Sequence, residues 1–196
     1  VERCGATAIM VMDRWGDPVD PEKLEAAIKE HPDAKVVAFV HAETSTGVRS
    51  DAETLCRLAK SAGMLVIMDA VTSLAGIDLQ ADAWGADVVY SGTQKCLSGL
   101  PGISPITFSN DAVAAIQARK HKVQSWFLDM NLIMGYWGEG AKRSYHHTAP
   151  VNAVYAIHEA LLMLEEEGLD ASFARHKANH LKLAAGLSKL GLEMAV

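Results

Sequence analysis

The sequence predicts an α/β fold, a three-layer αβα sandwich built around a mostly parallel sheet. Short runs of apolar, β-branched residues alternate along the chain with segments of helical periodicity, a pattern typical of layered α/β domains. The runs Val36–Val40 and Met64–Met68 are apolar at every position, as expected of parallel strands covered on both faces. Both runs are too short to cross a membrane.

The composition is that of a globular protein with one good core. The chain has 196 residues, of which 49% are hydrophobic, and its net charge is −6. This acidic balance, without a cluster of lysine and arginine, argues against a nucleic-acid or anionic-membrane surface. The three cysteines form no Cys-x-x-Cys pair and no signal peptide is evident, so we expect a soluble intracellular protein, cytoplasmic or within an organelle.

Five apolar segments have the length and composition of strands. The last of them contains Pro105, which suits an edge or irregular position because proline cannot donate a ladder hydrogen bond. In chain order the segments are Ala8–Met12, Val36–Val40, Met64–Met68, Asp87–Tyr90 and Ile103–Phe108.

The helices have recognisable start and stop signals. Asp20 before Pro21 is typical of an N-cap followed by a first-turn proline. Ser50 with Glu53 matches a capping box, and Gly63 supplies the end of that helix. Apolar spacing and these signals predict helices from Pro21 to His31, from Ser50 to Gly63, from Asn110 to Lys120, from Val151 to Glu167 and from Ser172 to Leu190.

Polar side chains follow three successive strands of the predicted sheet. They are Thr44, Asp69 and Lys95, and the carboxyl ends of parallel strands are where open α/β sheets bind ligands. A carboxylate that leaves an apolar strand needs a partner, and a lysine beside the sheet is suited to nucleophilic use, for example as a Schiff base. A structural ion pair between Asp69 and Lys95, or two partly solvated loop residues, would explain the same residue types without any chemistry.

Four short motifs carry a more specific signal, and each stands at a loop or strand end. They are HAETSTG at 41–47, DAVTSLAG at 69–76, SGTQKCL at 91–97 and YHHT at 145–148. In order and spacing they closely resemble the class V aminotransferases, pyridoxal-phosphate enzymes of fold type I. Within that family they are most similar to the alanine–glyoxylate and serine–pyruvate aminotransferases, and the resemblance runs over the whole chain.

The resemblance implies roles for five residues near the cofactor. Lys95 is similar to the lysine that forms the internal aldimine, and Asp69 to the carboxylate that faces the pyridine nitrogen and keeps it protonated. Val71 would then pack on one face of the ring. Gln94 resembles the polar neighbour of the cofactor phosphate, and Thr44 the contact near the ring hydroxyl or the substrate.

The resemblance also implies a reaction and an assembly. The expected reaction is transamination between alanine or serine and a 2-oxo acid, glyoxylate or pyruvate, with Lys95 as the general acid and base. Tyr145 and Thr148 are similar to the pair that reaches the partner's phosphate, so a homodimer with shared active sites is expected. Residues 1–150 would form the cofactor-binding large domain, and residues 151–196 the connecting helix and the start of a small C-terminal domain.

Parts of the family pattern find no match in the sequence. The phosphate-cradling loop with its stacking aromatic and the arginine that binds the substrate carboxylate are not matched. We therefore expect the chain to be an internal fragment of such an enzyme. When isolated, it is expected to bind pyridoxal phosphate weakly or not at all and to have little transaminase activity.

Other functions have weaker support. His146 with His147, and His176 with His180, suggest a metal, but neither pair has a zincin glutamate or a third ligand nearby, so we expect no metal site. No dinucleotide or Walker motif is present. A desulfurase or lyase on the same scaffold is disfavoured by Gln94, where that branch resembles histidine, and a catalytically incomplete or purely structural chain stays open.

The segment from Val123 to Gly140 is rich in aromatic residues. It contains Trp126, Phe127, Tyr136 and Trp137. We expect these side chains to form core or dimer contacts rather than a substrate cage.

Overall fold

The computed structural model describes residues 1–137 and 144–196, and the end of the predicted aromatic segment, residues 138–140, lies outside them. The described strands are β1 (Val36–Val40), β2 (Leu65–Asp69), β3 (Val88–Tyr90) and β4 (Ile106–Phe108). The described helices are α1 (Pro21–Glu30), α2 (Ala52–Ser61), α3 (Ala81–Trp84), α4 (Asn110–Gln117), α5 (Met130–Trp137), α6 (Val151–Glu167) and α7 (Leu169–Lys189). A single 3-10 turn, Glu2–Cys4, precedes them.

The sheet confirms the predicted α/β fold with a mostly parallel sheet. Its strand order is β1-β2-β3-β4, with β1, β2 and β3 parallel and β4 antiparallel to β3. The register aligns Val40, Asp69 and Tyr90 in one row. The carboxyl ends of the three parallel strands therefore meet at the same end of the sheet.

One face of the sheet is closed by helix α2. Phe39, Val66, Met68 and Val89 point to this face and are buried against a helix surface whose fully buried members are Leu55, Cys56 and Ala59. Truncating a buried leucine of this kind to alanine costs roughly 2–5 kcal/mol of stability. This interface is the main core of the described chain.

The opposite face of the sheet is partly open in the described residues. Ala38 is exposed, and Ile67 and Tyr90 are half-buried, although the sequence predicts strands covered on both faces. Side chains alternate between faces along a strand, so every second residue of each apolar run lies on this open face. The prediction of two-sided cover therefore holds for one face only within residues 1–137 and 144–196.

The helix caps agree with the sequence at one helix and differ at the other. Asp20 caps α1 by accepting a hydrogen bond from the Glu22 backbone amide at 2.9 Å, as predicted. The predicted capping box of α2 is wrong, because Asp51 is the N-cap and accepts from the Thr54 amide at 3.1 Å. The Ser50 hydroxyl instead accepts from the distant Val19 amide at 3.1 Å, a contact that no local pattern encodes.

The predicted strand Ala8–Met12 is wrong in this structure. No described strand pairs with it, and Ile9, Met10 and Met12 are exposed. An extended segment without a neighbouring strand forms no ladder of hydrogen bonds, so its apolar composition is not enough to make it a strand.

Several element boundaries also shift from their predicted positions, and one helix was not predicted. Strand β4 begins only after Pro105, helix α4 ends at Gln117, and α5 occupies part of the segment for which no helix was predicted. Helix α7 begins at Leu169, three residues early, because only Gly168 separates it from α6. Gly168 has φ +83°, a conformation that favours glycine and breaks the helix there.

A buried carboxylate ties the sheet to helix α2. Asp87 is 2% exposed and accepts hydrogen bonds from Lys60 Nζ at 3.0 Å, from the Val66 amide at 2.8 Å and from Ser109 Oγ at 2.7 Å. Burial alone would raise the pKa of this carboxyl, but the Ser109, Lys60 and Val66 hydrogen bonds outweigh burial and hold the pKa below its usual value.

Candidate active site at the carboxyl ends of the strands

Asp69 is the last residue of β2, and two hydrogen bonds hold its side chain. Its Oδ1 accepts from the Val71 backbone amide at 2.8 Å, and its Oδ2 accepts from the Tyr90 hydroxyl at 2.7 Å. Tyr90 is the last residue of β3 and the register partner of Asp69, so both side chains lie on the same, partly open face. A cavity of about 180 Å³ lies beside them, and its lining includes Ala38, Val40 and Ile67.

The Tyr90 hydroxyl remains a hydrogen-bond donor over the ordinary pH range. Burial, and then the hydrogen bond and negative charge of Asp69, raise the pKa of Tyr90 to about 12. A phenol that keeps its proton donates a hydrogen bond to the neighbouring carboxylate and so stabilises it.

Lys95 lies in the loop that follows β3, and hydrogen bonds from Ser91 and Thr93 hold that loop in place. Ser91 Oγ donates to the Ala70 carbonyl oxygen at 3.0 Å, which joins the loop to the end of β2. Thr93 is fully buried and its hydroxyl donates to the Leu100 carbonyl, which closes the loop after the lysine. Ser98 has φ +58°, a left-handed conformation uncommon for residues other than glycine.

The amine of Lys95 forms no ion pair with any residue that the structure describes. Lys95 is half-buried, and its side chain has no hydrogen bond or salt bridge within residues 1–137 and 144–196. Asp69, which the sequence offers as its partner in the non-catalytic interpretation, is bound by Tyr90 and Val71 instead. The lysine is therefore available for chemistry.

The loops after β1, β2 and β3 contact one another. The hydroxyls of Thr44 and Thr72 lie 2.6 Å apart, and the Cys96 thiol donates to the Thr72 carbonyl oxygen at 3.3 Å. A Cβ placed on Gly76 would lie 2.5 Å from Cys96 Sγ, so only glycine lets the turn after β2 approach the residue next to Lys95. The structure thus brings Thr44, Asp69 and Lys95 to one end of the sheet through shared loop contacts.

Gln94 and Val71 flank this group. Gln94 is exposed, and its Oε1 lies 2.7 Å from where a Cβ on Gly92 would stand, so the side chain folds back over its own loop. Val71 is half-buried, and its amide is the group that fixes Asp69 Oδ1.

Tyr145 and Thr148 form a separate pair on the surface. Their hydroxyl oxygens lie 2.6 Å apart, and the Tyr145 side chain is 69% exposed. Between them His146 is buried, and its Nε2 donates to the Trp126 carbonyl oxygen at 3.0 Å. The structure gives this pair no hydrogen bond to Asp69 or Lys95.

The aromatic side chains near this pair do not form a core within the chain. Trp126, Phe127 and Trp137 are each more than half exposed, so the predicted core role is wrong for them and the predicted role in a dimer contact stays a prediction. The Trp126 ring stacks on His146 with ring centres 4.0 Å apart.

Sequence reasoning did not find Tyr90 or Thr72. Both interact with predicted site residues, Tyr90 with Asp69 and Thr72 with Thr44. The available signal for Tyr90 is that a phenol ends the strand next to Asp69, but only the register shows that the two residues are opposite each other.

These features define an α/β protein with a lysine-centred site at the carboxyl end of an open, mostly parallel sheet. The family model described as aminotransferase class-V matches residues 2–195, and the chain belongs to that family.

Relatives and solved structures agree with this membership. The chain is 36% identical over its whole length to an alanine–glyoxylate aminotransferase of Oryctolagus cuniculus and spans 50% of that protein. The structure of an alanine–glyoxylate aminotransferase from Nostoc sp. matches 93% of this chain and 48% of its own, with TM-score 0.88 and 43% identity. The structure of a ureidoglycine–glyoxylate aminotransferase from Bacillus subtilis matches 98% of this chain and 49% of its own, with TM-score 0.92 and 36% identity. The chain therefore spans about half the length of these relatives.

Class-V aminotransferases depend on pyridoxal phosphate, and the described residues fit this cofactor chemically. The cofactor needs an amine that can react with its aldehyde and an acidic partner for its ring nitrogen. Lys95 is a primary amine without a partner, and each Asp69 oxygen has accepted one hydrogen bond and keeps a second lone pair. No helix of the described residues is both long and apolar enough to span a bilayer.

Proposed function

We propose that the protein to which this chain belongs is a transaminase that transfers an amino group between alanine or serine and glyoxylate or pyruvate. The observation that carries the proposal is the Lys95 amine, unpaired within the described residues, on a loop that is hydrogen-bonded to the end of the strand carrying Asp69. Family membership supports the reaction class, and the names of the alanine–glyoxylate relatives support the substrates.

When bound, pyridoxal phosphate supplies an electron sink that stabilises negative charge at the substrate α-carbon. In this proposal the amine of Lys95 would hold the cofactor at its aldehyde, and the same amine would be the general base and acid that moves the substrate α-proton. Asp69 holds a proton on the ring nitrogen. Its fixed carboxylate costs no reorientation when the ring binds.

The remaining predicted residues have supporting roles in the proposal. Val71 packs on the ring, Gln94 binds near the phosphate, and Thr44 contacts the ring hydroxyl or the substrate. The hydroxyl contact between Thr44 and Thr72 supports the role of Thr44, because it orients a polar group from β1 beside the loop of β2.

We propose a homodimer with shared active sites as the working assembly. Tyr145 and Thr148 are exposed and lie next to a surface with the apolar rings of Trp126, Phe127 and Trp137. Exposed aromatic patches of this kind mark protein interfaces. The division into a large domain, residues 1–150, and a C-terminal region, residues 151–196, is part of the same proposal.

Reductive trapping tests the role of Lys95. The chain is incubated with pyridoxal phosphate, the covalent adduct is reduced with borohydride, and the labelled lysines are mapped by mass spectrometry. We expect Lys95 to be labelled faster than the exposed Lys189, and Lys95→Ala, but not Lys189→Ala, to abolish the visible absorbance band of the bound cofactor. Equal labelling of the two lysines would contradict the proposed site.

Product analysis tests the reaction class. With alanine as donor and glyoxylate as acceptor, a transaminase gives pyruvate and glycine in equal amounts. Release of sulfide from cysteine, or of ammonia without an acceptor, would identify a desulfurase or a lyase instead. A stable oligomer that takes up no cofactor would favour a structural role.

A further inference from the structure

We infer that Tyr90 is a positioning residue that fixes the Asp69 carboxylate for the ring nitrogen of pyridoxal phosphate. The inference rests on the proposed function, because it assigns a role at the same site. The Tyr90 hydroxyl donates to Asp69 Oδ2 at 2.7 Å, and the two residues are register partners at the ends of adjacent parallel strands.

Two anchors on different oxygens set the plane of the carboxylate. The Val71 amide holds Oδ1 from the same strand end, and the Tyr90 hydroxyl holds Oδ2 from the neighbouring strand. A carboxylate held by one oxygen can still rotate about its terminal torsion, which is broad in energy. With both oxygens held, the two remaining lone pairs point in fixed directions, and a ring N–H meets an acceptor that is already oriented.

The surroundings of the hydrogen bond between Tyr90 and Asp69 also strengthen it. The half-buried position, with the apolar side chains of Val40 and Ile67 lining the same cavity, strengthens such a bond relative to one in water. The Tyr90 hydroxyl therefore holds Asp69 Oδ2 more firmly than a solvent-exposed donor would.

The contact is specific to one atom of Tyr90. Asp69 is the hydrogen-bond partner that the structure gives to the Tyr90 hydroxyl in the described residues, and the residue as a whole is half-buried. Removing the hydroxyl and keeping the ring should therefore act on the cofactor only through Asp69. This separates a positioning role from simple packing.

The experiment compares two ligands on the full-length protein that contains this chain. One is pyridoxal phosphate, and the other is its analogue with carbon in place of the ring nitrogen, which cannot pair with Asp69. Binding is followed by the Lys95-dependent visible absorbance band for the unaltered protein, Tyr90→Phe, Asp69→Asn and the double variant. Tyr155→Phe, which removes an exposed hydroxyl on α6, is the matched control.

We expect Tyr90→Phe to weaken binding of pyridoxal phosphate about tenfold to a hundredfold, the usual effect of losing a hydrogen bond to a charged group. Binding of the carbon analogue should change by less than about twofold, and so should binding of pyridoxal phosphate when Tyr90→Phe is added to Asp69→Asn. Placing 4-aminophenylalanine at position 90 keeps a donor at this point and should restore the preference for the ring nitrogen. Tyr155→Phe should leave both affinities unchanged.

The outcomes separate this inference from the proposed function. If Tyr90→Phe weakens both ligands equally, or if its effect is undiminished in Asp69→Asn, Tyr90 acts through packing and the inference is overturned while the proposed function stands. If the full-length protein that contains this chain gives no Lys95-dependent band with pyridoxal phosphate, the proposed function is wrong and the inference falls with it. If Tyr90→Phe does not fold, failure of the 4-aminophenylalanine variant to keep the preference overturns the inference.

Discussion

The hydroxyl of Ser172 donates to the carbonyl oxygen of Ala75 at 2.8 Å, which joins the first turn of α7 to the turn after β2. Ser172 is fully buried, and Ala75 has φ +67°, so the bond holds a left-handed residue in place. The next residue, Gly76, lies against Cys96 beside Lys95. Helix α7 is thus joined to the turn that contacts Cys96, the residue next to the candidate catalytic lysine.

We expect Ser172→Ala to lower the free energy of unfolding by about 1–2 kcal/mol, since it leaves a buried carbonyl without its donor. The measurement is urea unfolding followed by circular dichroism. Ser188→Ala, at an exposed position of the same helix, should change stability by less than about 0.5 kcal/mol. Equal effects of the two substitutions would show that the Ser172 bond contributes nothing.

Asp87→Asn should be more damaging, with a loss of about 3 kcal/mol, because it removes the buried carboxylate of the Lys60 ion pair and leaves the lysine only the exposed Asp111. Asp111→Asn is the matched control, since Asp111 also approaches Lys60, at 3.6 Å, but is largely exposed. We expect little change for Asp111→Asn in the same urea titration. A similar loss for both variants would contradict the special role of Asp87.

The same carboxylate predicts a response to acid. Its pKa is lowered in the folded state, so its contribution to stability is present above the unfolded value of about 3.9 and is lost as the pH falls through the folded pKa. The acid-unfolding curve of Asp87→Asn should therefore be shallower than that of the unaltered chain below about pH 4. Parallel curves would contradict this linkage.

His41 predicts a second pH dependence, at milder pH. Burial, and then the positive charge of Arg49, lower the pKa of His41, and its Nδ1 has no hydrogen-bond partner in the described structure. The unfolded chain takes up this proton near pH 6.5, so the His41 contribution is full above about 6.5 and declines as the pH falls below it.

Thermal unfolding between pH 5 and 8 tests this expectation. His41→Phe keeps a ring edge-on to Trp84, which lies 5.5 Å away between ring centres, and should flatten the pH dependence. His180→Phe, at an exposed position, should leave the pH dependence unchanged. A slope that persists in His41→Phe would assign the effect to other histidines.

Thiol labelling tests the burial of the core helix. Cys4 is exposed, whereas Cys56 is fully buried, and burial, with a smaller effect of Asp87, raises the pKa of Cys56 to about 11. We expect a disulfide reagent to label Cys4 quickly and Cys56 only after denaturation, because the thiolate is the reactive form. Labelling sites are read by mass spectrometry, and fast labelling of Cys56 in the native chain would contradict the packing of α2 on the sheet.

Local signals in the sequence predicted most elements, while long-range contacts decided the differences. The apolar runs at β1 and β2 and the Asp20 cap are encoded within a few residues, and they were predicted correctly. Ser50 does not cap α2, because its hydroxyl accepts a hydrogen bond from the amide of Val19, which is 31 residues away. The segment 8–12 has strand composition but no described neighbour with which to pair.

The candidate site shows the same division. The positions of the strand ends were enough to predict that Thr44, Asp69 and Lys95 lie together, and the structure places all three at one end of the sheet. The partner of Asp69 could not be read from the sequence, because strand register decides that Tyr90, rather than Lys95, meets its carboxylate. The roles of these residues toward a cofactor, and the domain division at residue 150, remain predictions.

The order of the strands has a consequence for how the site forms during folding. Each parallel strand lies beside the one that precedes it in the chain, so each pairing closes only a short crossover of chain and has a small entropic cost. The Asp69 carboxylate has its second anchor only when β3, which carries Tyr90, is paired with β2. Because the loop with Lys95 follows β3 directly, this one pairing is required both for the orientation of the acid and for the position of the lysine loop.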